Sequence, residues 1–250
     1  MIGGIFMLLH GLGKLTLLDY PEHLACTAFT GACNFRCPFC HNASLVLTPD
    51  LCEHISEEEF FTFLQSRKGK LEGVCITGGE PTLQPDLEAF ISRIKELGYL
   101  VKLDTNGYRP EVLERLLSQQ LLDFVAMDIK NCPSCYAKTA GISADTFRLS
   151  EIEASIRLLL RSGLLHEFRT TVVKELHTPE NMRELGLWIT GLSPESSNIC
   201  NSSYYLQNFK SGDGLICGNP EQFHSCSDET LDALILAVQP YLPKASVRGQ

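Results

Sequence analysis

The chain repeats one pattern along most of its length: a short apolar run, a loop, and then a longer amphipathic segment. Short apolar runs between turn residues are typical of buried strands, and apolar residues at every third or fourth position are typical of helices. The predicted strands cover residues 25–29, 73–77, 100–104, 124–129, 167–173 and 204–209. The predicted helices cover residues 56–65, 86–97, 150–161, 179–189 and 228–238, with another beginning at Pro110. This alternation predicts a parallel sheet covered by helices.

These elements make about six strand–helix units, fewer than the eight of a closed barrel. The sequence therefore predicts an α/β fold, a partial (β/α)6 TIM-like barrel that is open on one side. A length of 250 residues fits one domain. We expect a single domain over residues 1–250, with an N-terminal lead-in over 1–22, a barrel core over 23–210 and a C-terminal extension over 211–250 that carries the last helix.

Composition narrows the choice of partners. The formal net charge of −9 and the pI near 5.3 argue against a surface that neutralises phosphates, so no nucleic-acid partner is expected. The apolar opening MIGGIFMLLHGLG lacks a basic region and is too short to cross a bilayer. We interpret it as the lead-in, with Met7 as an alternative start, and expect no membrane partner. Eleven cysteines without a signal peptide indicate the reducing cytoplasm, where clustered thiols bind metals or take part in redox chemistry.

The most distinctive residues come directly after predicted strands. A cysteine-rich loop follows the first strand, GGEP follows the second, DTNG the third and DIK the fourth. In a parallel α/β barrel the carboxyl ends of the strands share one face, where such folds place their chemistry. The sequence therefore predicts one shared site.

The loop CNFRCPFCHN carries Cys33, Cys37 and Cys40. Short spacings let three thiolates reach one metal centre without the entropic cost of closing long loops. Structural zinc sites and ordinary iron–sulfur sites use four protein ligands, whereas this motif supplies three. Three thiolates on a [4Fe–4S] cluster would leave one iron open to an external ligand. A zinc site completed by His41 or by a distant cysteine is the alternative.

The GGEP motif combines a turn with a carboxylate. Gly78 and Gly79 allow a tight turn and a close backbone approach to a ligand. Glu80 and Pro81 follow them at the rim of the predicted site. Taken alone, two glycines before a proline are more often only a turn, so the position after the second strand is what favours a binding role.

Acidic groups and a lysine follow the next two strands. Asp104 ends one strand and is followed by Thr105 and Asn106, which suit a turn, and Asp128 and Lys130 come one unit later. Groups that emerge from adjacent strands can form a polar cluster around the sugar or the carboxylate of a ligand. A capping aspartate and a solvated lysine are the simpler interpretation of either motif alone.

Together, CxxxCxxC, GGEP, DTNG and DIK resemble the motifs of the radical S-adenosylmethionine (SAM) superfamily, and within it the enzymes that activate glycyl-radical enzymes. The resemblance is greatest to activating proteins of anaerobic ribonucleoside-triphosphate reductase, followed by the activating enzyme of pyruvate formate-lyase (the formate-lyase activator), and runs from Gly13 to Phe209. It implies a barrel of the radical SAM type, one [4Fe–4S] cluster on the three loop cysteines, and SAM as cofactor. It also implies reductive cleavage of SAM, a glycyl radical on a partner enzyme, and flavodoxin or ferredoxin as the reductant.

The same resemblance implies roles at the SAM site. The GGEP edge would hold the amino group of SAM, and Arg169 would flank the cofactor. The DTNG and DIK motifs would line the SAM site and bind a monovalent cation, through Asp104, Thr105, Asn106, Asp128 and Lys130. The chain departs from the formate-lyase activator near the last strand, where Gln207, Asn208 and Phe209 replace a histidine.

Other interpretations remain open. The chain could be a radical SAM enzyme that acts on a small nucleotide-derived molecule, or a non-enzymatic metal-binding or electron-transfer module. His177 precedes a predicted helix and is interpreted as a surface histidine. The remaining candidates for a second metal site are Cys132, Cys135, Cys200, Cys217 and Cys226.

Overall fold

The computed structural model describes residues 7–193 and 199–248. The predicted lead-in therefore lies partly outside the described residues, as do the last two residues of the predicted C-terminal extension. The strands are β1 (Leu9–Thr16), β2 (Ala25–Thr30), β3 (Gly73–Gly78), β4 (Leu100–Thr105), β5 (Phe124–Asp128), β6 (Leu165–Val172), β7 (Ser203–Asn208) and β8 (Ala245–Arg248). The α-helices are α1 (Ala43–Leu47), α2 (Glu57–Ser66), α3 (Leu87–Glu96), α4 (Pro110–Ser118), α5 (Tyr136–Ala140), α6 (Leu149–Ser162), α7 (Pro179–Leu192) and α8 (Asp228–Val238).

The strands form one eight-stranded sheet in the order β1 to β8. β1 runs antiparallel to β2, whereas β2, β3 and β4 pair in parallel, as do β6, β7 and β8. The predicted α/β class is therefore confirmed, and the six predicted strands are β2 to β7. Two strands were not predicted: β1 lies in the lead-in, and β8 lies in the C-terminal extension.

The chain divides into two compact units. The first comprises residues up to Asn34 together with Asn42–Thr105 and Glu111–Val125. Its core includes the buried rings of Phe60 and Phe90, whose centroids lie 5.2 Å apart. Helix α2 starts where predicted, because the Ser56 hydroxyl accepts from the Glu59 N–H while the Glu59 carboxylate accepts from the Ser56 N–H.

The second unit comprises Phe35–His41, Asn106–Pro110 and the chain from Ala126 onward. Its core includes Tyr136, whose ring stacks on Phe147 at 5.3 Å between centroids. Helix α7 begins at a proline in the first position, after Thr178, whose hydroxyl accepts from the Asn181 N–H. Among the residues described, no helix is both long and apolar enough to cross a bilayer.

Candidate active site

The cysteine loop follows β2, as predicted. Cys37 is buried, and Cys33 and Cys40 are half-buried. The Cys40 N–H donates to the Cys37 carbonyl at 3.0 Å, which closes a tight turn between these two residues. Within residues 7–193 and 199–248, no group of three His, Cys, Asp or Glu side chains stands ready to hold a metal ion. The case for a metal centre therefore rests on donor chemistry, three thiols on one short loop.

Within the second unit, residues from the C-terminal part of the chain contact the portion of the cysteine loop that belongs to this unit. The N–H groups of Ile216 and Cys217 donate to the carbonyls of Cys40 and Pro38 at 3.1 and 3.0 Å. The His41 ring stacks on the ring of Phe209 at 5.1 Å between centroids, and its Nε2 lies 2.7 Å from the Lys210 carbonyl. Because Nε2 donates to that carbonyl, His41 could complete a zinc site only through Nδ1.

The GGEP motif forms the sharp exit from β3. Gly78 has φ +116°, and a Cβ atom at this position would lie 2.4 Å from the Thr30 nitrogen. At Gly79 an added Cβ would lie 1.8 Å from the carbonyl oxygen of Ala32. The Gly79 and Glu80 N–H groups donate to the carbonyls of Thr30 and Ala32 at 2.8 Å. Both glycines are therefore required by the close approach of two backbones.

Glu80 is a buried carboxylate with fixed orientation. Its side chain is 1% exposed, and Oε1 accepts from the Thr82 N–H at 3.1 Å, the Thr82 hydroxyl at 2.6 Å and the Thr105 hydroxyl at 2.7 Å. Pro81 begins the short 3-10 turn that supplies the Thr82 donors. Two sequence-predicted residues, Glu80 and Thr105, are thus brought together, so the GGEP and DTNG motifs belong to one polar group.

Asp104 pairs with Lys102, which belongs to none of the sequence motifs. Lys102 lies two residues earlier on β4, is 1% exposed, and donates to the Asp104 carboxylate. Its Nζ is 3.8 Å from the Cys75 sulfur and 5.9 Å from the centre of the Phe124 ring. The sequence did contain a signal for this pair: a lysine with apolar neighbours in a predicted buried strand needs a partner of opposite charge.

Asp128 belongs to a chain of alternating charges in the second unit. Its Oδ2 lies 3.0 Å from Lys130 Nζ, and its Oδ1 accepts from Arg169 Nε at 2.9 Å. Arg169 Nη1 is 4.0 Å from Glu167, and Glu167 accepts two hydrogen bonds from Arg248 at 2.8 and 2.6 Å. The structure therefore joins the three predicted residues Asp128, Lys130 and Arg169, and adds Glu167 and Arg248.

Asp128 and Lys130 each stabilise the charged state of the other. Burial alone would raise the pKa of Asp128, but Arg169 and Lys130 outweigh it and lower the pKa to about 2. Burial alone would lower the pKa of Lys130, but Asp128 and the nearby Cys37 raise it above its usual value. Both groups therefore stay charged at neutral pH.

Asn106 and the residues near the last strand have structural partners. The Asn106 side-chain oxygen accepts from the Tyr108 N–H at 3.0 Å, a local turn of the kind that asparagine favours. The Asn208 amide exchanges two hydrogen bonds of 2.9 Å with the backbone of Cys226, and Phe209 is buried. Asn208 is thus hydrogen-bonded to the backbone of the same unit, and Phe209 belongs to its buried core.

The family model described as the Radical SAM superfamily matches residues 27–173, which is more than half of the chain and includes the cysteine loop, GGEP, DTNG and DIK. The chain belongs to the radical SAM superfamily. Radical SAM proteins bind a [4Fe–4S] cluster and SAM, so the family implies both cofactors here. The three thiols Cys33, Cys37 and Cys40 fit a cluster that keeps one iron open.

Several radical SAM proteins are similar to this chain. A protein of Methanocaldococcus jannaschii, named as an inferred glycyl-radical enzyme activating enzyme, is 34% identical over 183 residues, which cover 71% of this chain and 73% of that protein. A protein of Thermococcus kodakarensis, named as an inferred GTP 3′,8-cyclase, is 31% identical over 160 residues, which cover 61% of this chain but only 48% of that protein. A solved radical SAM methyltransferase from Sphaerobacter thermophilus matches with TM-score 0.71 and 15% identity, covering 94% of this chain and 68% of that one. At that identity, the likeness shows the fold alone.

The acidic residues of this radical SAM chain fit a bound monovalent cation poorly. Asp104 pairs with Lys102, and Asp128 contacts both Lys130 and Arg169. Each carboxylate therefore already has a cation from its own unit, which reduces what a metal ion would gain there. The carboxylates of the DTNG and DIK motifs are instead neutralised by basic side chains of the protein.

Replacing Lys102 by methionine is expected to make SAM cleavage depend on a monovalent cation, because Asp104 would lose the ammonium group of Lys102 that now pairs with it. SAM cleavage by the unaltered protein should be equal in potassium chloride and in choline chloride at one ionic strength. Lys102→Met should be about tenfold slower in choline, equivalent to about 1.4 kcal/mol. Lys95→Met is the control, because Lys95 forms a similar but more exposed pair with Asp123 at 2.6 Å. A potassium requirement in the unaltered protein would contradict this expectation.

His177 is not a surface residue, so that prediction is wrong. It is 2% exposed. Its Nδ1 accepts from the Val173 N–H at 3.0 Å, and its Nε2 donates to the Lys130 carbonyl at 2.9 Å. Burial lowers its pKa, so the ring is neutral. The histidine thereby fixes the backbone of Lys130 beside the Asp128 pair, a role that a helix-start pattern could not indicate.

Because His177 is buried and neutral, we expect the free energy of unfolding to decrease in mild acid. Its pKa is lower in the folded chain than the unfolded value of 6.5, so its contribution is complete above pH 6.5 and declines as pH falls toward the folded pKa. His177→Asn keeps an acceptor for Val173 but does not titrate. We expect it to cost about 1 kcal/mol at pH 7.5 and to flatten the decline between pH 6.5 and 5. Urea unfolding of the metal-free chain at several pH values measures both effects, and an unchanged slope would contradict the assignment.

Proposed function

We propose that this chain activates a glycyl-radical enzyme, and that its partner is anaerobic ribonucleoside-triphosphate reductase. The observation that carries the proposal is the 34% identity to the M. jannaschii protein, which extends over most of both chains and whose name gives that activity. The CxxxCxxC, GGEP, DTNG and DIK motifs add support, because the same four occur in the family of activating enzymes that the sequence resembles.

Each part of the site has a role in this proposal. Cys33, Cys37 and Cys40 would hold the cluster, which when bound would supply the one electron for reductive cleavage of SAM to methionine and a 5′-deoxyadenosyl radical able to take a hydrogen atom from glycine. The fixed carboxylate of Glu80 accepts from the SAM ammonium group, and the turn at Gly78, Gly79 and Pro81 lets the backbone approach it.

The charged groups orient the rest of SAM. Lys130 and Arg169 attract its carboxylate while Asp128 keeps both cations in position. Asp104, Thr105 and Asn106 line the site at the end of β4. Reduced flavodoxin or ferredoxin is the proposed electron donor, and the cytoplasm is the proposed location.

The test uses a partner reductase labelled with deuterium at the α-carbon of glycine. Anaerobic incubation with the cluster-loaded chain, SAM and a reductant should give 5′-deoxyadenosine that contains deuterium, together with the electron paramagnetic resonance signal of a glycyl radical. The Glu80→Gln variant should give neither product at a comparable rate. Undeuterated 5′-deoxyadenosine and no radical on the partner would refute the activating role but not SAM cleavage.

A second function is supported by the T. kodakarensis relative, whose name specifies GTP as the compound acted on. A radical SAM enzyme for a nucleotide-derived substrate would use the same cluster and SAM residues and would differ only in its substrate contacts. Deuterium transfer from ring- or ribose-labelled GTP, in place of the labelled reductase, would favour this function.

The remaining alternative is a non-enzymatic metal-binding or electron-transfer module. A bound metal without any production of 5′-deoxyadenosine would favour that module.

A further inference from the structure

A second pair of thiols lies away from the predicted cluster loop, in the segment CPSC after β5. Cys132 is fully buried and Cys135 is half-buried. The side-chain nitrogen of Asn181 lies 3.4 Å from the sulfur of Cys132 and 3.6 Å from that of Cys135. The two sulfurs are therefore within about 7 Å of each other. The other candidate thiols have separate neighbours, since Cys200 contacts Ser202 and Cys217 contacts the Asn219 carbonyl.

The backbone gives this pair the geometry of a closable ring. Cys132 immediately precedes the 3-10 turn Pro133–Cys135, and the Cys135 N–H donates to the Cys132 carbonyl at 3.1 Å. Side chains three residues apart in a 3-10 turn lie on the same side. A disulfide needs the two Cβ atoms about 4 Å apart, and a turn that places both side chains on one side is the arrangement that favours such a bridge.

The surroundings of Cys132 favour its uncharged thiol over the thiolate. The Ser134 hydroxyl lies 3.3 Å from the Cys132 sulfur, and that hydroxyl also donates to the Glu184 carboxylate at 2.8 Å. Burial raises the pKa of Cys132, and the carboxylate of Glu184 also disfavours a neighbouring thiolate. A dithiol in which the Cys132 thiolate is not stabilised gives a relatively stable disulfide, because the disulfide carries no charge.

We infer that Cys132 and Cys135 form a redox-active dithiol that exchanges with low-molecular-weight disulfides and closes to an intramolecular disulfide. Cys135, the more accessible sulfur, loses its proton and attacks the incoming disulfide, which releases one small thiol and leaves a mixed disulfide. Cys132 then loses its proton, displaces the second small thiol and forms the S–S bond. The protein gives up two electrons and two protons, and the incoming disulfide is reduced to two thiols.

The exchange can be measured on one peptide. Trypsin cleaves after Lys130 and Lys138, and the peptide 131–138 between them contains both cysteines and no other. The cluster-loaded protein is equilibrated anaerobically in buffers of glutathione and glutathione disulfide, alkylated, digested and analysed by mass spectrometry. We expect the doubly alkylated peptide to give way to an unalkylated form lighter by two hydrogen atoms than the dithiol. The change should follow a single two-electron curve.

Two variants separate this site from general thiol oxidation. Cys135→Ser should give no intramolecular disulfide in peptide 131–138. Cys52→Ser, which removes a half-buried thiol on a different loop, should leave the curve unchanged. A peptide that stays doubly alkylated in every buffer, or that pairs with another cysteine, would overturn the inference. The result is independent of SAM cleavage, so it stands or fails separately from the proposed function.

Discussion

Replacing Cys37 by serine is expected to reduce the iron content of the reconstituted protein from about four atoms per chain to almost none, and to stop SAM cleavage. A serine hydroxyl is a poor ligand for iron, and two remaining thiolates cannot retain a cluster that already lacks one protein ligand. Cys37 is also the buried member of the loop, so a thiolate from another part of the chain is poorly placed to substitute. Iron and sulfide analysis and the yield of 5′-deoxyadenosine measure the two effects.

Cys52→Ser serves as the control for this prediction. Its sulfur lies 3.7 Å from the carbonyl of Thr48 in a short turn, and it has no role in the proposed cluster. It should retain iron and activity at the level of the unaltered chain. Full iron content in the Cys37→Ser protein would show that the cluster lies elsewhere, and a tetrahedral zinc in the unaltered protein would exclude the open-iron site.

Gly79→Ala is expected to cost about 3 kcal/mol of folding stability, the upper range for overpacking, and to abolish measurable SAM binding. The added methyl would lie 1.8 Å from the carbonyl oxygen of Ala32 and 2.7 Å from its carbon. Both are backbone atoms, so no side-chain rotation relieves the clash, and the loop that presents Glu80 must move. Urea unfolding and equilibrium binding of SAM measure the loss.

A matched glycine provides the control. Gly191 lies in helix α7, and a methyl group there would meet no atom within 4 Å among residues 7–193 and 199–248. Because alanine is the better helix former, Gly191→Ala should raise stability by about 0.5 kcal/mol and leave SAM binding unchanged. Equal unfolding midpoints for Gly79→Ala and the unaltered protein would contradict the steric argument.

Buried parallel strands could be predicted from the sequence because both of their faces are apolar. β2 and β3 are fully or mostly buried, so each appears as a short run of mostly apolar or small residues. β1 is mostly half-buried or exposed and contains Gly11 and Gly13, which weaken a strand pattern. β8 has only four residues. Helices α1 and α5 were missed for the same reason, since each has only five residues.

The candidate site divides in a similar way. Residues in recognisable motifs, such as Cys37 and Glu80, could be proposed as site residues because a family signature covers them. Lys102 and Arg248 could not, because their roles depend on which strand lies beside them. Arg248 meets Glu167 across 81 positions of sequence, and no local pattern carries that information. The exposure of His177 was predicted wrongly because a helix start is usually exposed, whereas here the ring is buried and contacts the backbone of Val173 and Lys130.

The pairing of Arg248 with Glu167 also bears on the order in which the protein is completed during translation. Glu167 is almost fully buried and receives its two shortest contacts from Arg248. During translation, the ion pair between Arg248 and Glu167 therefore cannot form until residue 248 has left the ribosome. Chains released early would bury an acid without its best counter-ion, a defect of several kcal/mol.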